Sequence, residues 1–461
     1  MESYLDIYTL NDFHGAIFEK EDEPGISKLG NFLLERKRAR PDATVILSAG
    51  DMFQGTAVSS LTKGDVVVDI MNYIGFDAMT IGNHEFDWGV KQLCRLFDGN
   101  PDNNETDFPL LGANICNKTT LEPVEWARPY TIIERLGLKI GIIGVLGEDL
   151  KNDILGSIIE EYIFTNQLAT IKKYTRTLRA KEGCRIVIVV SHYDTSPING
   201  QIACLPDEEK VDVVINGHTH NYYAGELSGV RQVPLPYIQS GNSGKYVGNI
   251  RVYLDAETKE IYDVSCENLQ AVKHCINENT EINRLLDKYR AVVAIANEVL
   301  AIAAEDIYRL SASLWAADAL RKGAGSDIGL INNGGIRADA FPITKETNVT
   351  YGHIFRIMPF ENRIVTVELS GVQIKYLIFH AVGNKLTFSS NVDINNGTVN
   401  GKVLRDEVFY RISTVDFVYE APAYRMNTGC NLSYSDDLFR DLLVEEVKIT
   451  ALNNNGKWFL R

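Results

Sequence analysis

The chain has 461 residues, of which 45% are hydrophobic and 23% are charged, as in an ordinary globular protein. At ~150 residues per domain, this length predicts two or three domains, each long enough to bury its own core. Acidic residues outnumber basic residues by 61 to 46, and the resulting net charge of −15 disfavours binding to a nucleic acid polymer or to an anionic membrane surface.

The first half of the chain alternates short apolar runs with helical patterns. The runs are rich in β-branched residues and end in small or polar residues, which is typical of buried strands in βαβ units. Residues of catalytic or ligand type follow these strands, at the end where open α/β sheets bind their ligands. The predicted strands are 4–10, 44–50, 77–82, 139–147, 184–192 and 211–218, with helices over 27–40 and 67–75.

The pattern changes beyond residue 230. Residues 231–265 alternate like antiparallel strands, and residues 278–322 form one long helical pattern. A helix of this length between two α/β regions predicts a linker, with the domain boundary between 268 and 305. The predicted later strands are 328–333, 363–371 and 407–417. The predicted division is a first domain over 1–270, a linker with a long helix over 271–305, and a second domain over 306–461.

The cysteines and the N-terminus bear on the cellular compartment. Seven cysteines are widely spaced without a C-x-x-C pair, which disfavours a thiolate zinc site and favours a reducing compartment. The N-terminus lacks a signal-peptide pattern, and no run approaches the ~18 apolar residues of a transmembrane helix. We therefore expect a cytoplasmic protein.

Five of the eight histidines follow predicted strands and have ligand-type neighbours. In Asp12-Phe13-His14 and in Gly217-His218-Thr219-His220, residues i and i+2 of an extended segment point to the same side, so their donor atoms converge. Each motif alone is common in proteins, but the ordered set is difficult to obtain by chance. The remaining members are Gly50-Asp51, Gly82-Asn83-His84-Glu85 and His192.

The donor set indicates the class of metal. Carboxylates, imidazoles and an asparagine carbonyl, without thiolates, suit divalent Mn, Zn, Co or Fe. Seven candidate ligands exceed the needs of one ion with an open position. They suit two ions that share a bridging carboxylate, as in two-metal hydrolases.

The order D-x-H, GD, GNHE, SH, GHxH resembles the calcineurin-like metallophosphatase pattern. The segments NDFHG, AGDMFQGT and IGNHEFDWG resemble its branch of 5′-nucleotidases, UDP-sugar hydrolases and 2′,3′-cyclic phosphodiesterases. The resemblance implies an α/β fold with an N-terminal four-layer αββα sandwich, a long linker helix and a smaller α/β C-terminal domain.

The resemblance also assigns roles in the first domain. It implies that Asp51 bridges two divalent ions, such as Mn or Zn, and that a metal-bridging hydroxide attacks phosphorus. His84, oriented by Asp87, would stabilise the developing charge or protonate the leaving oxygen. An alternative for Asp87 is a helix N-cap ahead of residues 88–90. The implied ligands are Asp12, His14 and His220 for the first ion, and Asn83, His192 and His218 for the second.

The second domain resembles the substrate-binding part of the same branch. The segment INNGGIR (331–337) matches its NGGGIR loop, MPFEN (358–362) matches PFGN, and TVDF (414–417) matches the segment with a second stacking aromatic residue. One departure is that Ala423 stands where relatives carry an aspartate for the ribose hydroxyls, and Glu420 is a possible substitute. The implied substrate contacts are Asn332, Gly335, Arg337, Phe360, Asn362 and Phe417.

These features favour a two-metal phosphohydrolase that acts on nucleoside 5′-monophosphates or related small phosphate esters. A 2′,3′-cyclic-nucleotide phosphodiesterase and a nucleotide-sugar or dinucleotide hydrolase remain open alternatives. A non-catalytic nucleotide-binding module is a further alternative, which the presence of all seven ligands disfavours. The expected partner is a small phosphate ester, without a nucleic acid polymer or a membrane.

Overall fold

The computed structural model describes residues 3–100, 102–193, 198–230, 232–380 and 385–460. The chain divides into two compact units that change over between Arg290 and Ala291. This point lies inside the predicted linker over 271–305, and the predicted domain bounds stay a prediction. The first unit comprises Met1–Gln54, Val58–Ile154 and Ile158–Arg290, and the second comprises Gly55–Ala57, Leu155–Ser157 and Ala291–Arg461.

The strands of the first unit form two six-stranded sheets and one short pair. They are β1 (Ser3–Leu10), β2 (Thr44–Ser48), β3 (Ala78–Thr80), β4 (Leu110–Leu111), β5 (Ile115–Asn117), β6 (Tyr130–Arg135), β7 (Leu138–Leu146), β8 (Tyr162–Phe164), β9 (Ile186–His192), β10 (Val213–Asn216), β11 (Tyr222–Leu227), β12 (Leu235–Ser240), β13 (Tyr246–Leu254) and β14 (Ile261–Gln270). The first sheet has the order β14-β13-β1-β2-β3-β4, and the second has the order β11-β12-β10-β9-β7-β6.

Helices cover the outer faces of these sheets. The helices are α1 (Gly25–Ala39), α2 (Ala57–Leu61), α3 (Asp65–Ile74), α4 (Val90–Cys94), α5 (Gln167–Ala180), α6 (Ile198–Ala203), α7 (Ala271–His274) and α8 (Thr280–Asp287). Helix α1 packs on the first sheet, where the ring of Phe32 meets the ring of Tyr8 edge-on at 6.0 Å. Apolar residues of α5 and α6, among them Ile171 and Ile202, are buried against the second sheet.

The inner faces of the two sheets form one continuous core. Leu5 and Val45 of the first sheet lie in the same buried cluster as Ile140 and Ile188 of the second. Strands β1, β2 and β3 run parallel, as do β7, β9 and β10. Since their residues are buried on both faces, the strands appear in the sequence as continuous apolar runs. The first unit is therefore a helix–sheet–sheet–helix sandwich, as predicted.

The second unit has its own sheet and core. Its strands are β15 (Val299–Ala303), β16 (Ile328–Asn332), β17 (Asn348–Thr350), β18 (Arg363–Ser370), β19 (Leu386–Phe388), β20 (Val392–Asp393), β21 (Thr398–Val399), β22 (Lys402–Val403), β23 (Phe409–Val415), β24 (Cys430–Leu438) and β25 (Lys457–Trp458). Its helices are α9 (Arg290–Ala296), α10 (Arg309–Gly323), α11 (Tyr351–Ile357), α12 (Gly371–His380), α13 (Asp416–Glu420) and α14 (Phe439–Asn453). The main sheet has the order β19-β16-β23-β18-β24, and Trp315 and Trp458 lie edge-to-face in the core beside it.

The single long helix predicted over 278–322 is wrong. The structure divides this segment into α8, α9, β15 and α10. Strand β15 pairs with β17 and β25, with Ile302 opposite both Asn348 and Lys457. The segment VLAIA has good helix formers, but pairing with strands distant in sequence outweighs this local preference.

Two findings concern the compartment and the membrane. Within the described ranges, every helix is too short or too polar to span a bilayer. All seven cysteines have free thiols, and Cys116, Cys184 and Cys275 among them are buried.

The closeness of the two sheets generates a prediction about stability. A Cβ atom at Gly144 of β7 would lie 2.3 Å from the Cβ atom of Leu111 and 2.7 Å from Thr80 Oγ1, both in the first sheet. We expect Gly144→Ala to lower the free energy of unfolding by ~1–3 kcal/mol through overpacking. In contrast, a Cβ atom at Gly200 of α6 would have no atom within 4 Å. We therefore expect Gly200→Ala to raise the free energy of unfolding by ~0.5–1 kcal/mol. Urea denaturation of both variants and the parent measures these changes, and equal midpoints for the two variants would contradict the expectation.

Candidate metal centre

All seven predicted metal ligands lie at the carboxyl ends of strands. Asp12 and His14 follow β1, Asp51 follows β2, and Asn83 follows β3. In the second sheet, His192 is the last residue of β9, and the segment 218–220 follows β10. Because neighbouring parallel strands end at the same sheet edge, residues far apart in sequence meet there.

The first cluster contains Asp12, His14 and His220, whose donor atoms all lie within 4.8 Å of one another. The Nε2 atoms of His14 and His220 are 3.0 Å apart, and His220 Nε2 is 3.7 Å from Asp12 Oδ1. Asp12 and His14 are buried, whereas His220 is partly exposed. The three residues predicted to hold the first ion are thus brought together.

The second cluster contains Asp51, His192 and His218, again within 4.8 Å. Asn83 Oδ1 lies 3.1 Å from His192 Nε2 and 3.1 Å from His218 Nδ1, so the asparagine belongs to this group. Asp51 Oδ2 is 3.2 Å from His192 Nε2. The predicted second set is assembled together with Asp51, and the bridging role of Asp51 stays a prediction.

Backbone carbonyls orient the histidines. His14 Nδ1 donates to the carbonyl of Gln54 at 2.9 Å, and His192 Nδ1 donates to the carbonyl of Ala49 at 2.6 Å. When the imidazoles are neutral, these bonds select the tautomer in which Nε2 presents a lone pair to the cluster. A carbonyl behind the ring is the arrangement that metal-binding histidines commonly have.

The local backbone around the ligands is unusual. Five of the seven candidate ligands have a left-handed backbone conformation with positive φ. Such conformations cost free energy, which the surrounding fold must offset. Glycines in the same motifs admit the close contacts. For example, a Cβ atom at Gly82 would lie 2.2 Å from Asp51 Oδ1. The ligands with positive φ are Asp12 (50°), His14 (51°), Asp51 (54°), His218 (80°) and His220 (60°).

The buried charges of the cluster interact strongly. Burial raises the pKa of Asp12 to about 7, although the charge of His192 opposes the shift. Burial also acts to raise the pKa of Asp51, but the charges of His192 and His84 outweigh it and hold this pKa well below its ordinary value. For His192, burial lowers the pKa, but Asp51 outweighs this effect and raises the pKa to about 10. The two carboxylates therefore compete for one imidazolium.

The donor set fits divalent cations. Bound cations would allow both carboxylates to ionise without a protonated His192, because His192 would bind a cation as the neutral imidazole. Oxygen and imidazole donors without thiolate suit borderline or hard divalent ions. The clusters are therefore two candidate metal-binding groups, each with an orienting hydrogen-bond network.

His84 and Asp87 lie beside the first cluster. His84 Nδ1 is 2.9 Å from Asp87 Oδ2, and the ring centroids of His84 and His14 are 5.4 Å apart. Helix α4 begins at Val90 with Gly89 as its N-cap residue, so Asp87 does not occupy the N-cap position. The role of the Asp87 carboxylate in orienting the imidazole stays a prediction.

Glu85 has a structural role that its sequence motif does not predict. Its buried carboxylate accepts hydrogen bonds from the backbone N–H groups of Asp51 (2.8 Å), Met52 (2.9 Å) and Gly82 (2.7 Å). It thereby ties the loop after β2 to the loop after β3. The glutamate in the GNHE motif was visible in the sequence, but only tertiary structure shows which N–H groups it reaches.

The predicted substrate contacts lie on three loops of the second unit. Asn332 is the last residue of β16, and the loop after this strand carries Gly335 and Arg337. The loop before β18 carries Phe360 and Asn362, and α13 after β23 carries Phe417. Strand β23 runs parallel to β16 and antiparallel to β18. The end of β16, the end of β23 and the start of β18 therefore share one edge of the sheet.

These loops are held by specific contacts. Asn362 Nδ2 donates to Asp416 Oδ1 at 2.7 Å, and the rings of Phe360 and Phe417 pack partly against the core. Arg337 Nε is 3.8 Å from Asp339 Oδ1. Ala423 lies in a short 3₁₀ turn over Pro422–Tyr424. The structure brings the contacts to one sheet edge, and their role in binding substrate stays a prediction.

Two further arginines support the same loops. Arg309 Nε donates to the carbonyl of Ile336 at 2.9 Å, and its Nη2 donates to the carbonyl of Asn333. The buried Arg440 donates through Nη1 to the carbonyl of Phe360 at 3.2 Å. Neither role was predicted from the sequence, because a backbone carbonyl as the partner of an arginine leaves no pattern in the sequence.

Comparisons with known proteins agree with this architecture. Residues 5–222 match the family model of the calcineurin-like phosphoesterases, and residues 309–422 match that of the 5′-nucleotidase C-terminal domain. The crystal structure of a 5′-nucleotidase precursor from Thermus thermophilus superposes with a TM-score of 0.81 at 21% identity, covering 100% of this chain and 98% of that chain. The predicted fold class is thus confirmed, apart from the long helix.

Two sequence relatives define the extent of the similarity. Endonuclease YhcR of Bacillus subtilis (strain 168) is 29% identical over 406 residues, which cover 81% of this chain and 32% of YhcR. The 5′-nucleotidase of Bos taurus is 24% identical over 432 residues, which cover 82% of this chain and 72% of that protein. The chain therefore spans about a third of the length of YhcR and most of the length of the bovine protein.

The hydrogen bonds of Glu85 generate a prediction. Glu85→Gln keeps the size of the side chain but points an amide N–H₂ group at one or more backbone donors. Since a buried donor without an acceptor costs ~1–3 kcal/mol, we expect the free energy of unfolding to fall by that amount. We also expect weaker binding of Mn²⁺ by calorimetry, because the loop that carries Asp51 loses an anchor. The exposed Glu125→Gln is the matched control, and identical results for the two variants would contradict the anchoring role.

Proposed function

Because the chain belongs to the calcineurin-like phosphoesterases that carry a 5′-nucleotidase C-terminal domain, we propose that it is a metal-dependent phosphohydrolase that releases phosphate from nucleoside 5′-monophosphates or related small esters. The observation that carries this proposal is the set of seven converging donors with the His84–Asp87 pair beside it. An imidazole that is paired with a carboxylate next to the candidate metal clusters favours catalysis over binding alone.

Two divalent ions such as Mn²⁺ or Zn²⁺ would be held by the two clusters. Asp12, His14 and His220 would hold one, Asn83, His192 and His218 would hold the other, and Asp51 would lie between them. When bound, such ions neutralise the phosphoryl oxygens and activate water for attack on phosphorus. The carbonyls of Gln54 and Ala49 keep the histidine lone pairs directed at the ions.

His84 is suited to proton transfer at the leaving oxygen. With Nδ1 bonded to Asp87, a proton on Nε2 lies on the side of the ring away from this carboxylate. The carboxylate stabilises the protonated imidazole, which can donate to the leaving oxygen as the ester bond breaks. A leaving group protonated in this way departs as a neutral alcohol.

The second unit supports a nucleotide as substrate. Phe360 and Phe417 would hold the base by stacking, Asn362 would bind its edge, and Arg337 with Asn332 would bind polar groups, with Gly335 allowing close approach of the backbone. Asn362 donates to Asp416 through Nδ2, which leaves the side-chain oxygen Oδ1 to accept from a ligand donor. The net charge of −15 supports small esters over nucleic acid polymers.

The alternatives are separated by a substrate panel. Release of phosphate from AMP and UMP supports the proposal, whereas turnover of only 2′,3′-cyclic nucleotides or only UDP-sugars supports one of the other enzymes of the same branch. The free state of all seven thiols supports a reducing compartment such as the cytoplasm.

The catalytic role of His84 is testable by substitution. We expect His84→Ala to lower kcat for AMP by ~10²–10⁴-fold, because the general acid is lost, with little change in the number of bound ions. The exposed His274→Ala, in the same unit, is the control and should leave kcat unchanged. Equal rates for His84→Ala and the parent would refute the assignment.

The metal requirement is testable by removal and by substitution. Dialysis against a chelator should abolish phosphate release, and Mn²⁺ or Zn²⁺ should restore it. We expect Asp51→Asn to retain fewer ions per chain by elemental analysis, since a neutral amide replaces a buried anion. The exposed Asp287→Asn should retain the ion content of the parent. Full activity in the presence of excess chelator would contradict a metal mechanism.

A further inference from the structure

Two stacked tyrosines lie close to the metal centre within the first unit. The ring centroids of Tyr222 and Tyr246 are 4.5 Å apart, and the ring planes differ by 14°. Tyr222 is nevertheless 61% exposed. A parallel stack uses one face of each ring, so Tyr222 presents an aromatic face to the solvent, backed by a second ring.

The tyrosine pair is attached to the segments that carry the ligands. Asn221, between His220 and Tyr222, accepts from Gly241 N at 3.0 Å, and Gly241 in turn accepts from Asn11 Nδ2 at 2.7 Å. The Cα atoms of His220 and Tyr222 are at most ~7 Å apart, because two residues separate no further. The side chain of Tyr222 therefore branches from the backbone within ~7 Å of the Cα atom of His220, a residue of the first cluster.

The loop before Tyr246 is attached to the same cluster. Ser243 N donates to the carbonyl of Asp12 at 2.8 Å, and Lys245 Nζ pairs with Asp22 Oδ2 at 2.9 Å. Gly241 has φ of 68°, and a Cβ atom there would lie 3.0 Å from the ring of Tyr246. The loop conformation thus keeps the rings close to the backbone that positions Asp12.

We propose that Tyr222, backed by Tyr246, is a stacking surface for the planar aromatic part of a phosphate ester whose phosphoryl group lies at the metal clusters. This inference rests on the proposed phosphohydrolase function, and it makes the first unit by itself favour esters whose leaving group carries a flat aromatic ring over esters that carry none. An ester bond keeps the leaving group next to phosphorus, so a ring on the ester oxygen reaches a surface that begins beside His220. A sequence-tolerant stack of this kind accepts any flat ring.

A matched control is present on the first sheet. Tyr262 is 53% exposed and contacts the ring of Tyr253 at 6.1 Å, so it is also an exposed tyrosine with an aromatic neighbour. Tyr253 is seven residues along β13 from Tyr246, about 23 Å at the rise of a strand. Tyr262 therefore shares the exposure and the aromatic contact of Tyr222 but lies far from the clusters.

The test compares substrates and variants in the full chain with Mn²⁺. We expect Tyr222→Ala to raise KM for 4-nitrophenyl phosphate about tenfold, with KM for glycerol 3-phosphate unchanged, since only the aryl ester loses a stacking partner. Tyr222→Phe should retain the parent KM for both esters, and Tyr262→Ala should behave as the parent. Circular dichroism confirms folding of each variant.

A binding measurement makes the test independent of turnover. By calorimetry, phenylphosphonate should bind the parent about tenfold more tightly than methylphosphonate, and Tyr222→Ala should abolish this difference. Phosphate release from no ester by the parent would refute the proposed function, and the phosphonate comparison would still decide the stacking surface. If the aryl preference persists in Tyr222→Ala, or if Phe417→Ala alone removes it, the inference is wrong.

Discussion

The burial of two carboxylates, Asp12 and Asp51, at the strand ends is the constraint on which the rest of the first unit depends. A buried anion is costly unless it is paired. Besides the amide of Asn11 and two backbone N–H groups, the close partners of these carboxylates are imidazoles that are also candidate ligands. His192 is shared between both carboxylates, and its raised pKa reports this competition. Bound divalent cations would resolve the conflict, because they would allow the carboxylates to be ionised and the imidazoles to be neutral at the same time.

The two packed sheets give the cluster a rigid support. Left-handed backbone at five ligands persists only where the surrounding structure holds it, and two packed sheets with a continuous core provide a rigid support on both sides. Glu85 adds a direct connection between the loops after β2 and β3, and glycines such as Gly82 make room for the carboxylate of Asp51. Each of these residues acts on the position of a ligand, and none of them needs to contact substrate.

In the second unit, too, the candidate functional residues lie at one edge of a sheet, but they are of a different chemical type. Three loops at one edge of its sheet carry an arginine, two asparagines and two phenylalanines, and these loops are fixed by Arg309, Arg440 and Asp416 through backbone atoms. A rigid sheet edge with polar and aromatic side chains is suited to binding a small planar ligand. The tyrosine pair beside His220 would add a second aromatic surface that belongs to the catalytic unit itself.

The sequence by itself determined the alternation of strands and helices in the first unit and the position of each candidate ligand at or after the end of a strand, and it predicted a class of metal, because these follow from local patterns and from the chemistry of the side chains. His14, His192 and His220 could be selected because few histidines occur and each has a ligand-type neighbour. Only the tertiary structure decided that residues 299–303 form a strand and that Glu85, Arg309 and Arg440 support the loops. The physical reason is that these outcomes depend on backbone groups and strand partners that are distant in sequence, and such contacts leave no periodicity or motif in the chain.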